Sequence, residues 1–124
     1  MSFTADISKL SKKWDKSLYD TAVAVKIELF SSVILSTRWD TGRLRGNWQT
    51  SVGVPKISNV ERLDKTGIKA IAEVEKTVKG NTVDYLTNNL PYAVIYEEKD
   101  AMIAKNVRRI RRIIKKAIKD VRKN

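Results

Sequence analysis

The sequence predicts an α+β fold with a long N-terminal helix, a small antiparallel sheet of about three strands, a short helix and a basic C-terminal helix. Three observations lead there. Apolar residues recur every three or four positions at both ends of the chain, as amphipathic helices require. Between those ends lie stretches in which apolar and polar residues alternate, the period of a half-buried strand. The resulting order is helix, strand, strand, strand, short helix, helix, which suits an antiparallel sheet covered by helices on one face. At 124 residues the chain has the length of one domain, 1–124, able to bury about two-thirds of its surface.

The first helix is expected from Thr4 to about Ser36. Ile7, Leu10, Trp14, Leu18, Ala22, Val25, Leu29 and Val33 form its stripe. Ser2 or Thr4 could cap it, and Asp6 suits the positive end of its dipole. Within it, Val23, Val25, Ile27 and Leu29 alternate as in a strand, but no Gly or Pro interrupts the stretch and the helical period continues on both sides. Thr37 to Asn47 is irregular, and Asp40-Thr41-Gly42 is turn chemistry. Trp48 to Val54 alternates and reads as a strand that ends at Pro55. Lys56 to Gly67 reads as a polar loop with the composition of a mobile one. Ile68 to Val78 alternates again, with Ile68, Ala70, Ala72 and Val74 on one face, and reads as a second strand. Lys79-Gly80-Asn81 is expected to form a hairpin connection into a third strand over Thr82 to Thr87. Asn88-Asn89 breaks that strand, and Pro91 is placed to begin a short helix through about Glu98. Ala101 to Val121 is the clearest helix, with Ile103, Val107, Ile110, Ile114, Ile118 and Val121 on one stripe.

Composition narrows the function classes. The chain has neither Cys nor His, so disulfides and the usual zinc, copper and haem ligands are absent. The commonest general base is missing with them, leaving only carboxylate or Ser/Lys chemistry. No catalytic constellation, cofactor site or metal site is expected, and the chain reads as non-enzymatic. The N-terminus shows no secretory pattern, and no run approaches the ~20 apolar residues that span a bilayer, so a soluble protein without a membrane partner is expected.

The net charge is +11, and its placement is uneven. From Lys99 to Asn124 there are eleven basic and two acidic residues, whereas the first 98 residues carry fourteen and twelve. The body is nearly neutral and the C-terminal helix holds the excess, where it acts through its field on polyanions.

Two segments carry a resemblance. Asp40-Thr41-Gly42-Arg43-Leu44-Arg45-Gly46-Asn47-Trp48 and Asn88-Asn89-Leu90-Pro91-Tyr92-Ala93, the latter with Tyr96-Glu97, are similar to the paired signatures of phage tail-completion or head-tail joining (neck) proteins. The order of elements around them is similar too. Arg38-Trp39 stands where that family often has Pro-Val, and Glu98-Lys99 where it usually has Gly. The second departure suggests that the short helix runs on into the C-terminal one. The resemblance implies a virion structural protein at the head-tail junction, assembled in the host cytoplasm. It implies self-association into a ring, with adjacent neck, connector or tail-tube proteins as partners and no catalysis.

Read without the family, the motifs are mainly structural. Thr41-Gly42 can turn the chain sharply, Arg43 and Arg45 supply forked donors for carboxylates or carbonyls, and Leu44 and Trp48 can bury beside the sheet. Asn88-Asn89 accepts unusual φ, and Tyr92 and Tyr96 lie one turn apart on one face. The candidate interface residues are Trp39, Asp40, Arg43, Arg45, Tyr92, Tyr96 and Glu97. Of the tryptophans, Trp14 and Trp48 suit the core and Trp39 an exposed contact. Glu97, Glu98 and Asp100 could hold a cation, but answering nearby arginines or the helix dipole explains them better.

The polyanion-facing candidates are Arg108, Arg109, Arg111, Arg112, Lys115, Lys116 and Lys119. Their helix reads either as a core helix with a solvated face or as a surface for DNA or an acidic neighbouring ring. A membrane-surface helix fits less well, since its apolar stripe lacks an aromatic residue. An alternative to the neck role is therefore a small non-enzymatic nucleic-acid-binding protein acting through this helix. Non-specific contact with DNA in a neck channel is compatible with either.

Overall fold

The computed structural model describes residues 16–123. The expected first half of the N-terminal helix, with Ser2, Thr4, Asp6, Ile7, Leu10 and Trp14, lies outside the described residues, as does the side chain of Val121. The described chain runs α1 (Lys16–Leu35), α2 (Arg43–Gly46), β1 (Gln49–Val52), α3 (Ile68–Thr77), β2 (Asp84–Thr87), α4 (Ala93–Asp100) and α5 (Met102–Lys123). The α+β class holds, but the sheet has two strands among the described residues rather than about three.

The missing strand is α3. Ile68 to Val78 fits an alternating pattern, yet the residues that bury are Ala70, Val74 and Val78, four apart. Lys69, Ala72, Glu73, Glu75 and Lys76 lie among them and favour helix over strand, against the β-branched Ile68, Ile71 and Thr77. Ile68, on the expected apolar face, is 69% exposed. Lys79-Gly80-Asn81 accordingly joins a helix to β2 and is no hairpin turn.

The two strands pair antiparallel, with Thr50 opposite Leu86 and Ser51 opposite Tyr85. β1 is shorter than expected: Val54 lies beyond it and is exposed, while Trp48 precedes it and is buried. α3 packs against β1 and α1, and α5 packs against α1. The core formed between them contains Val33, Ile34, Trp48, Ala70, Val74, Val78 and Met102.

The buried line of α1 follows the expected stripe in part. Ala22 and Val33 of that stripe are buried, but Lys26 and Ile34 are buried with them, whereas Val25 and Leu29 are half-buried. A lysine thus occupies a core position. Its Nζ donates to the carbonyls of Lys79 and Thr82 and to Asp84 Oδ2, the last two at 2.7 Å. All three of its protons have acceptors, which a buried ammonium needs. This one side chain ties α1 to the turn before β2 and to the strand itself.

The segment between β1 and α3 is irregular, as expected, but it is anchored to the body. Arg62 donates from Nε to the Gly46 carbonyl at 2.7 Å and from Nη2 to the Trp48 carbonyl at 2.6 Å. Its Nη1 pairs with Glu73 at 3.1 Å, and Glu73 also accepts the Thr50 amide at 2.7 Å. Asp64, buried, accepts the amides of Gly67 at 3.1 Å and Ala70 at 2.9 Å and so caps α3. These contacts oppose the freedom that the segment's composition suggests.

α4 begins at Ala93, after a turn through Pro91 and Tyr92, and runs to Asp100. It does not continue into α5. Ala101 sits at φ 50°, ψ 43°, the left-handed conformation that ends a helix, and the chain turns there. The break occurs without the glycine that the position favours.

Candidate functional site

The first motif forms a corner between α1 and β1. Gly42 has φ +82° and its carbonyl accepts the amides of Gly46 and Asp64, each at 2.9 Å. A side chain there would be strained, and a Cβ would stand 2.7 Å from the Asp64 nitrogen. Gly46 packs directly on the Arg62 carbonyl, leaving no room for a Cβ. Thr41 Oγ1 accepts the Arg43 amide at 3.2 Å, closing the turn.

Arg45 is buried. Its guanidinium donates to the carbonyls of Leu35, Thr37 and Lys65, the first at 2.9 Å. It therefore satisfies the open carbonyls at the end of α1. The expectation of forked donors near the corner is met, but burial removes Arg45 from the surface candidates. Trp48 is buried as well, its Nε1 donating to Thr37 Oγ1 at 2.7 Å. Asn47 donates to the Arg43 carbonyl and accepts the Val60 amide, at 2.8 and 2.9 Å.

The second motif docks on this corner. Asn88 Nδ2 donates to the Leu44 carbonyl at 2.8 Å, and Leu44 packs with Leu90 and Ala93. Asn89 donates to the carbonyls of Lys56 and Ser58 at 3.0 and 3.3 Å. Neither asparagine has positive φ; their amides, not unusual backbone angles, are what the fold uses. Tyr92 and Tyr96 meet edge to face, with centroids 5.9 Å apart.

Glu97 is used within the fold. Its carboxylate accepts the amides of Ile103 at 2.8 Å and Ala104 at 3.2 Å, so it caps α5. Asp100 pairs with Arg38, at 2.8 Å from Nε and 3.2 Å from Nη2. The same guanidinium lies 4.7 Å over the Tyr96 ring. The hydrogen bond from Arg38 holds the Asp100 carboxyl below the usual carboxylate range, and that bond raises the Arg38 value in turn. Two of the three clustered acids are thereby explained by structure. Among the described residues, no group of His, Cys, Asp and Glu could hold a metal ion.

The two motifs thus line one groove of about 350 Å³, bordered by Arg38, Asp40, Leu44, Tyr92, Tyr96 and Lys99. Asp40, Tyr92 and Tyr96 come together there as interface candidates. Trp39, between Arg38 and Asp40 in the chain, is 60% exposed. Arg43 is exposed too, and its side chain forms no ion pair among the described residues. Arg38 is the member that the sequence did not single out; its partner lies 62 residues away.

The basic helix divides. Arg109 reaches back to α1, donating to Ser32 Oγ at 2.6 Å and pairing with Glu28 at 3.2 Å. Arg108, Arg111, Arg112 and Lys115 share a shallow surface concavity with Lys105, which was not among the expected residues. Lys116 and Lys119 are exposed. Among the described residues no helix is long and apolar enough to cross a membrane. No protein-family model, curated protein or solved structure matches the chain.

Proposed function

We propose that the chain is a structural, non-enzymatic subunit of the neck of a tailed double-stranded DNA phage, part of a ring that joins the tail tube to the head connector. One observation carries this reading beyond the motifs themselves. The two similar segments, more than 40 residues apart in sequence, lock onto each other through Asn88 and Leu44 and form one groove. Most of the polar and glycine chemistry of these two segments is consumed in building that corner: Gly42 and Gly46 set the backbone, Arg45 and Trp48 are buried, and Glu97 caps α5. Asp40 lines the groove, and its sequence neighbours Trp39 and Arg43 are exposed. Aromatic and arginine residues are enriched where proteins bind each other.

Electron microscopy of particles assembled without this protein tests the reading. Separate filled heads and free tails are expected. Normal virions in its absence would refute it.

A further inference from the structure

We infer that the outward face of α5 binds the phosphate backbone of duplex DNA, through Lys105, Arg108, Arg111, Arg112 and Lys115. This contact stands independently of the neck reading. At about 100° per residue, the basic and apolar residues of α5 separate into two half-cylinders. Met102, Asn106 and Ile110 are buried against the body. Arg108, Arg112 and Lys115 fall on the opposite side and point away from it. The five cations line one concavity, and none of them forms an ion pair among the described residues. Arg109, on the flank nearest α1, is neutralised by Glu28 and belongs to the fold instead.

Three features favour duplex DNA over other polyanions. From Lys105 to Lys115 the helix rises about 15 Å, over which a duplex carries roughly nine phosphate charges. Residues 101–124 contain no aromatic side chain, so the stacking that holds single strands is absent. A bilayer would require the apolar half of the helix to enter lipid. In that half Met102 and Ile110 are already buried against the body.

The test uses the full chain and a labelled random-sequence 30-base-pair duplex, with affinity followed by fluorescence anisotropy against salt. Five phosphate contacts give a slope of log K against log salt near −4.5, an affinity loss of about 500-fold between 50 and 200 mM. The R108A/R112A/K115A variant should bring the slope to about −2, since each cation accounts for about one unit. Alanine keeps the helix, which circular dichroism checks. The K56A/K65A/K76A variant removes the same charge from the body and should keep the full slope. Equal weakening by both variants, or no duplex binding at 50 mM salt, would overturn the inference. So would tighter binding to a single strand, to phosphatidylserine vesicles or to polyglutamate than to the duplex.

Discussion

Lys26 and Asp84 show how much of this fold rests on single polar side chains. Both are nearly inaccessible, with 7% and 1% of their side chains exposed. Truncating the lysine leaves a buried carboxylate unpaired, which costs about 3–5 kcal/mol. Lys26→Ala should therefore unfold at markedly lower urea concentration, and a Lys26→Met/Asp84→Leu double variant should recover part of the loss. Nothing in the sequence marks Lys26 as special, because its partners lie on a turn and a strand more than 50 residues away. The opposite holds at Gly42, where Asp40-Thr41-Gly42 announces a turn and φ +82° confirms it. Asp100 gives a pH signature at the same scale. Its folded value is depressed by Arg38, so its contribution is present above the unfolded value of about 3.9 and disappears as pH falls through the lower folded one. A carboxyl-carbon NMR titration should place its midpoint below 3.9, and Arg38→Gln should return it toward that value.

Elements were legible where their period was unambiguous. α5 appears where its stripe lies, and β2 falls within the strand expected over Thr82 to Thr87. The strand expected at α3 gives way to a helix because a short run containing Ala70, Ala72 and Val74 satisfies both periods, and only packing against α1 and β1 decides. The anchor of α3, Asp64, is likewise a tertiary fact, since its own amide is held by Gly42. Asp64→Ala removes two buried hydrogen bonds at a helix start and should cost about 2 kcal/mol in urea unfolding. The junction of α4 and α5 offers a gain. Ala101 holds a left-handed conformation that costs a non-glycine residue about 1 kcal/mol. Ala101→Gly should raise stability by about that amount while leaving the α4–α5 angle unchanged.

For the whole molecule, the near-neutral body and the basic helix divide the work. The body brings two distant motifs into one corner, and the helix carries the charge past it. The sequence placed Asp40, Tyr92 and Tyr96 in one site through a resemblance, and the fold gathers them around one groove. Arg45 and Glu97, candidates on the same grounds, instead satisfy helix ends, because a forked donor or a carboxylate serves either purpose. What remains on the surface is Trp39 and Arg43. The most direct measurement is complementation of particles lacking the protein with a Trp39→Ala/Arg43→Ala variant. Both side chains are exposed, so its stability should stay within about 1 kcal/mol of the parent. Under the proposed neck role, unjoined heads and tails are the expected result. Intact virions at the parental yield would contradict the assignment of this corner as the assembly surface.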